Sequence, residues 1–170
     1  LAAGLETRDQ AKTFIYAFLY GAGDAKIGSI TGGTAKDGKR LKEKFLGNTP
    51  ALGRLRERVG VASGRGYVLG LDRRRVAIRS SHAALNSLLQ SAGAIIMKKA
   101  LCLLDEYATI WGLDYHIIGN IHDEIQTEVR EKDAERFGRL ATSCVEAAGL
   151  FYKLNCPLAG DYKVGSSWAD

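Results

Sequence analysis

Between residues 115 and 129 an apolar run is broken once, by three consecutive polar residues, and then resumes. Ile117-Ile118-Gly119-Asn120-Ile121 suits a buried strand, His122-Asp123-Glu124 interrupts it, and Ile125 restarts the apolar pattern through Val129. Runs of this length and composition predict two strands, 115–121 and 125–129, joined at an exposed polar tip. A hairpin of this kind cannot bury its apolar side alone, so it needs helices behind it. Residues 82–107 supply the longest helical pattern, apolar and rich in small residues, expected to pack across the sheet with Gly93 as a close-packing point. A helix over 132–149 and a last strand near 159–164 complete this half.

The first half reads differently. Thr7 is a fair N-cap, and Ala11, Phe14, Ile15, Phe18 and Leu19 recur at helical spacing over residues 8–20, which Gly21 and Gly23 end. A short helix over 25–30, a break at Gly32-Gly33, and charged helices over 37–45 and 50–59 follow. The character changes at Ser63-Gly64-Arg65-Gly66. Beyond it, 67–69 and 76–78 flank Leu71-Asp72-Arg73-Arg74 as a second hairpin, and the subdomain boundary is placed there. The class is therefore α+β, with a helical segment followed by a small antiparallel sheet backed by long helices. No internal repeat or low-complexity segment is visible.

Composition excludes a few classes. The 170 residues are 46% hydrophobic and 25% charged, which fits an ordinary globular chain and not a disordered one. No uninterrupted apolar run approaches the roughly 18 residues that span a bilayer; the longest, 92–97, stops at Lys98-Lys99. The net charge is +5, with cations crowded over 36–58 and at Arg73-Arg74-Arg75, so an anionic partner fits, as does a solvated basic face. Cys102, Cys144 and Cys156 are far apart and odd in number, and read as buried thiols in a reducing compartment.

Two features carry chemistry. A carboxylate on a rigid strand end suits Mg²⁺, which takes hard oxygen ligands and keeps positions for water and phosphate. Two such ions about 4 Å apart could activate a 3′ hydroxyl and neutralise a departing pyrophosphate. An ordinary polar turn would also contain Asp123-Glu124. On the first helix, Arg8, Lys12, Tyr16 and Tyr20 recur every four residues and form one stripe. Two cations a turn apart with a phenol beyond them suit a triphosphate followed by a sugar or base, Arg by bidentate grip and Lys as a point charge. A cationic solvent face would show the same spacing.

Taken together, three stretches resemble the polymerase region of family A DNA polymerases, most closely the replicative enzymes of short-tailed, T-odd-type bacteriophages. Arg8-Asp9-Gln10-Ala11-Lys12-Thr13-Phe14-Ile15-Tyr16-Ala17-Phe18-Leu19-Tyr20-Gly21 resembles motif B, the fingers helix that binds the incoming nucleotide. Ile121-His122-Asp123-Glu124-Ile125-Gln126 resembles motif C of the palm. Leu71-Asp72-Arg73-Arg74-Arg75-Val76 and His82-Ala83-Ala84-Leu85-Asn86-Ser87-Leu88-Leu89-Gln90-Ser91-Ala92-Gly93-Ala94 resemble the strand and long helix that lie against the nascent duplex. The resemblance implies fingers over 1–65 and the C-terminal part of the palm over 66–170. It implies that Arg8 and Lys12 hold the triphosphate, Tyr16 packs on the sugar and Tyr20 sits near the templating base. Asp123 would bind Mg²⁺, with Glu124 as a secondary carboxylate; His122 would touch the primer, and Asn86 and Gln90 the duplex minor groove. Tyr at position 16 goes with acceptance of dideoxynucleotides. Three departures stand out: Ala17 where the family usually has Gly, His82 where many relatives have Arg, and a short linker over 59–70.

The resemblance also implies a second metal-binding aspartate from motif A, which lies before motif B in the family and which the residues before Arg8 do not supply. The expectation is template-directed DNA synthesis by two Mg²⁺ ions, with this chain inactive alone and partnered by primer-template DNA, dNTPs and an upstream polymerase segment. That segment, carrying motif A and the thumb, would lie in the same or a separate chain, and a processivity factor would bind the thumb. Leu1 is not the Ser, Thr or Cys that simple intein splicing leaves, and residues 165–170 resemble the family's C-terminus, placing Asp170 near the natural end. A phage origin places the protein in the bacterial host cytoplasm. The rivals are a DNA-binding or regulatory relic of the fold, and a phage RNA polymerase relative with a similar palm; Asn86-Gln90 fits the DNA enzymes better.

Overall fold

The structure is a computed structural model that describes residues 5–168; the expectations about Leu1 and Asp170 lie outside the described residues. Compact packing divides the chain into two units, 1–90 and 91–170, with the break inside the longest helix.

The first unit begins with α1 (Arg8–Leu19), whose N-cap Thr7 is extended and accepts from the Gln10 N–H at 3.1 Å, satisfying a backbone donor that the helix leaves open. Phe14 and Phe18 are buried one turn apart. Both meet Phe45 edge-on at 5.2 Å between ring centroids, the arrangement that the ring quadrupoles prefer. Leu5 and Ile27 close this cluster. Phe45 comes from α3 (Ala35–Asn48), which starts at Thr34 with Asp37 accepting from the Thr34 N–H at 2.9 Å. Between α1 and α3 lies α2 (Asp24–Ser29). Its backbone meets that of α3 so closely that a Cβ on Gly28 would lie 1.9 Å from the Thr34 carbonyl oxygen, and one on Gly38 would lie 1.9 Å from that of Asp24. Lys42 secures the crossing, reaching the Asp24 carboxylate at 2.9 Å and the Ala22 carbonyl at 2.6 Å.

Pro50 opens α4 (Pro50–Ser63), where its missing N–H costs nothing. The hairpin of β1 (Tyr67–Leu69) and β2 (Arg75–Ala77) follows, antiparallel with Val68 opposite Val76. Val68 is buried with Val59, Ala84 and Leu85. This hairpin therefore packs with α4 and the start of the long helix, inside the unit of residues 1–90.

The long helix opens with a 3₁₀ turn (Ser81–Ala83), for which the Ser80 hydroxyl accepts from Ala83, and continues as α5 (Ala84–Ile110). Residues 81–110 are long and apolar enough by length and composition to cross a bilayer, although Asn86, Gln90, Lys98 and Lys99 interrupt the apolar run. In the second unit Leu104 and Ala108 of α5 pack with Leu113, Phe137, Leu140 and Cys144, and Tyr115, Ile125 and Val129 add the sheet's apolar face. The sheet is a two-stranded hairpin of β3 (Tyr115–Ile121) and β4 (Glu124–Val129), with a register shift between Ile117 and Gly119. The helix α6 (Ala134–Phe151) supplies Phe137, Leu140 and Cys144 from one face.

Three expectations are corrected here. Gly93 is not a close-packing point among the described residues, since a Cβ there would meet none of them within 4 Å. Residues 159–164 form no strand. Tyr162 docks on α6 instead: its ring lies over Gly138, where a Cβ would come within 2.2 Å of it, and its hydroxyl donates to Glu135 at 2.6 Å. That carboxylate and partial burial hold the phenol above its usual pKa. Only Cys144 is a buried thiol, pushed up in pKa by desolvation, whereas Cys102 and Cys156 are exposed.

Candidate active site

The aromatic side of α1 is fixed by the Phe14-Phe18-Phe45 cluster, and this decides what its other side presents. Arg8 and Lys12 are exposed, as are Tyr16 and Tyr20 at 61% and 59%. The residues form the expected ridge along one helix face, about 6 Å between successive members. Neither Arg8 nor Lys12 makes an ion pair or side-chain hydrogen bond among the described residues. Two unneutralised cations one turn apart are free to meet an anion. Ala17 sits on the inner side, packed against the Phe14 cluster, so its methyl group contributes to the core beneath the ridge.

Tyr20 is the C-cap of α1, and the chain reverses at Gly21 with φ +76°. A Cβ there would lie 2.7 Å from the His82 carbonyl oxygen. Positive φ and close approach both demand glycine at this position. This tight passage brings the end of α1 to the start of the long helix, and Gln90 Nε2 donates to the Tyr20 hydroxyl at 3.1 Å. Thus the structure joins two residues that sequence reading treated separately. Asn86 is half-buried and Gln90 exposed, one turn apart on α5, and His82 is exposed. The Tyr20–Gln90 bond was not legible in the sequence, because 70 residues separate the partners and no spacing rule spans that distance.

The second unit carries the hairpin tip. The turn between β3 and β4 consists of His122 and Asp123, while Glu124 belongs to β4 and pairs with Ile121. His122 adopts φ +58°, a left-handed conformation in which His is tolerated better than most non-glycine residues. All three tip residues are exposed. Glu124 Oε1 accepts from Gln126 Nε2 at 2.9 Å, so this carboxylate is partly engaged. Asp123 has no hydrogen-bond or ion-pair partner among the described residues.

An open carboxylate on a strand-backed turn, with a second beside it, is the donor type that Mg²⁺ takes. Among the described residues no three His, Cys, Asp or Glu side chains converge on one metal position. The tip thus fits as one part of a metal centre and does not complete one. A groove of about 490 Å³ in the second unit, lined by Tyr107, Trp111, Arg136, Arg139, Leu140, Ser143, Cys144 and Ala147, contains none of these residues.

Comparison with known proteins agrees across the chain. The profile of DNA polymerase family A matches residues 3–170. The DNA-directed DNA polymerase of Enterobacteria phage T3 is 42% identical over 192 residues, covering 100% of this chain and 27% of that protein. That of Escherichia phage T7 is 42% identical, covering 99% of this chain and 27% of that protein. The corresponding polymerase of Escherichia phage Phieco32 is 40% identical over 98% of this chain and 28% of its own length. This chain therefore spans little more than a quarter of the length of these relatives. The solved POL domain of Pol1 from M. smegmatis, in complex with DNA primer-template and dNTP, shares the fold with a TM-score of 0.75 at 22% identity, over 83% of this chain and 27% of that one. With a helix of motif B type, a hairpin of motif C type and a family match over nearly every residue, the chain belongs to DNA polymerase family A.

Proposed function

We propose that this chain is the C-terminal fingers and palm part of a template-directed DNA polymerase, adding a nucleotide from a dNTP to a primer 3′ hydroxyl. The observation that carries this reading is the exposed, unneutralised Arg8-Lys12-Tyr16-Tyr20 ridge on a helix whose opposite face is locked into an aromatic core. Arg8 holds phosphate oxygens bidentately, Lys12 offsets charge that grows on the leaving phosphates, Tyr16 packs on the sugar and Tyr20 borders the templating base. Asn86 and Gln90 meet minor-groove acceptors, which are nearly alike for every base pair and so test pairing geometry without reading sequence. His122 contacts the primer end.

Asp123 would hold Mg²⁺ with Glu124 beside it, and bound Mg²⁺ supplies charge neutralisation and an activated 3′ hydroxyl. Fingers then span 1–65 and palm 66–170, with the remaining metal ligand on an upstream motif A segment. The partners are primer-template DNA, dNTPs, that upstream segment and a processivity factor on its thumb, within the cytoplasm of a bacterial host. Primer extension with Mg²⁺ and dNTPs tests this. Extension by the chain mixed with the upstream segment, and not by the chain alone, is expected. Robust extension by the chain alone overturns the shared-metal argument, and a complex that forms without extending supports an inert relic. Tyr16 predicts that the assembled enzyme incorporates dideoxynucleotides, and strong rejection of them overturns that assignment.

A further inference from the structure

Tyr20 and Gln90 meet at 3.1 Å across 70 residues of sequence, and the bond leaves each partner with capacity to spare. Gln90 has two amide hydrogens and donates one to the phenol; its second hydrogen and its carbonyl oxygen are uncommitted. Tyr20 accepts that hydrogen and keeps its own hydroxyl proton. The separation of the two is set by backbone: Gly21 turns at φ +76° against the His82 carbonyl, so the end of α1 cannot slide along the start of the long helix.

We propose that Gln90 is a positioning residue for Tyr20, so that the contact to the duplex minor groove and the contact beside the templating base are made by one hydrogen-bonded pair. This rests on the polymerase assignment above. A correct terminal base pair presents its minor-groove acceptor where the second amide hydrogen of Gln90 can reach it, with the first still on Tyr20. A mispaired terminus moves that acceptor. The amide then serves the groove or the phenol but not both, and Tyr20 loses its fixed place when the next nucleotide arrives. Checking of the last pair and admission of the next nucleotide become one event.

The test uses the chain assembled with the upstream polymerase segment, comparing wild type, Y20F, Q90L and the double variant on matched and mismatched primer termini. The readout is the matched-to-mismatched ratio of kcat/KM for the next dNTP. Q90L removes the donor at similar volume and is expected to lower that ratio by about two- to tenfold, the worth of one neutral hydrogen bond. Phe keeps the ring but leaves Gln90 without its acceptor, so Y20F lowers the ratio in the same direction, and the double variant falls no further than the lower single. Multiplicative effects in the double variant overturn the proposal, as does a Q90L ratio equal to wild type. Thermal melting of each variant separates loss of fold from loss of coupling. If wild type fails to extend a matched primer, the polymerase assignment fails and the proposal falls with it; matched extension with independent variants refutes the coupling alone.

Discussion

The molecule contains two antiparallel hairpins whose tips each carry an aspartate and a non-glycine residue at positive φ, yet they treat the aspartate in opposite ways. In the first, Asp72 is enclosed by its own turn: the Arg74 N–H donates to Oδ1 at 3.1 Å and the Arg74 guanidinium pairs with Oδ2. Partial desolvation pushes the Asp72 pKa up, but these Arg74 hydrogen bonds and charge outweigh it and leave the carboxyl below its usual range. In the second, Asp123 stands in a two-residue turn with no partner among the described residues. The same residue type at two hairpin tips is bound into its turn in one place and left without a partner among the described residues in the other. What separates them is whether a cation lies within reach in the same loop.

Replacing Asp123 by Ala in the assembled enzyme is expected to have the largest effect, a fall in primer-extension rate of about a thousandfold, since a metal-held charge contributes several kcal/mol to the transition state. Asp72→Ala should instead lower the melting temperature, because its partner is internal. A D123A enzyme that still extends primers would erase the distinction between the two tips. Next comes Lys12→Ala, expected to lower kcat/KM for dNTPs about a hundredfold, as removal of one well-placed charge stabiliser does.

Gly21→Ala should cost about 1–3 kcal/mol in chemical denaturation, from strain at positive φ and from contact with the His82 carbonyl. Smaller still, Arg73→Gly and His122→Gly should each stabilise their hairpin by about 1 kcal/mol by relieving left-handed φ, while H122G alone reduces primer extension. Equal loss of extension for R73G would show that both tips touch DNA.

The smallest effect is one of pH. Asp24, Asp37 and Asp72 have pKa values below 3.8, for Asp24 chiefly through the Lys42 hydrogen bond and for Asp37 through the Thr34 N–H. Carboxyls depressed in the folded state bind protons more readily when unfolded. Their stabilisation is thus present above the unfolded pKa of 3.8 and is lost as pH falls through the lower folded values. Melting temperature should decline below about pH 4, and D37N should flatten part of that slope.

Legibility followed the range of the forces involved. The α1 ridge, the Thr7 cap and both hairpins were readable because helical and strand periodicity and capping act over a few residues. Residues 159–164 were read as a strand on local sequence alone, whereas Tyr162 docks on Gly138, more than 20 positions away. Gly93 was misread for the converse reason: a small residue on a helix signals close packing only if a neighbour arrives, and none of the described residues does. Cys102 and Cys156 carry a buried residue type, but exposure is set by tertiary packing: Cys102 is exposed on α5 and Cys156 in the bend after α6.

By itself the sequence determined the order of elements, the cationic-phenolic ridge, the polar hairpin tip and, through motifs in family order, membership of DNA polymerase family A. Tertiary structure decided which carboxylate is neutralised and which is left open, that Gly21 must pass beneath the His82 carbonyl, and that Tyr20 and Gln90 share a hydrogen bond. Periodicity records which face of an element is apolar, since that is a property of neighbouring residues. It does not record which distant group arrives at a given atom, because that depends on how the packed elements close around one another.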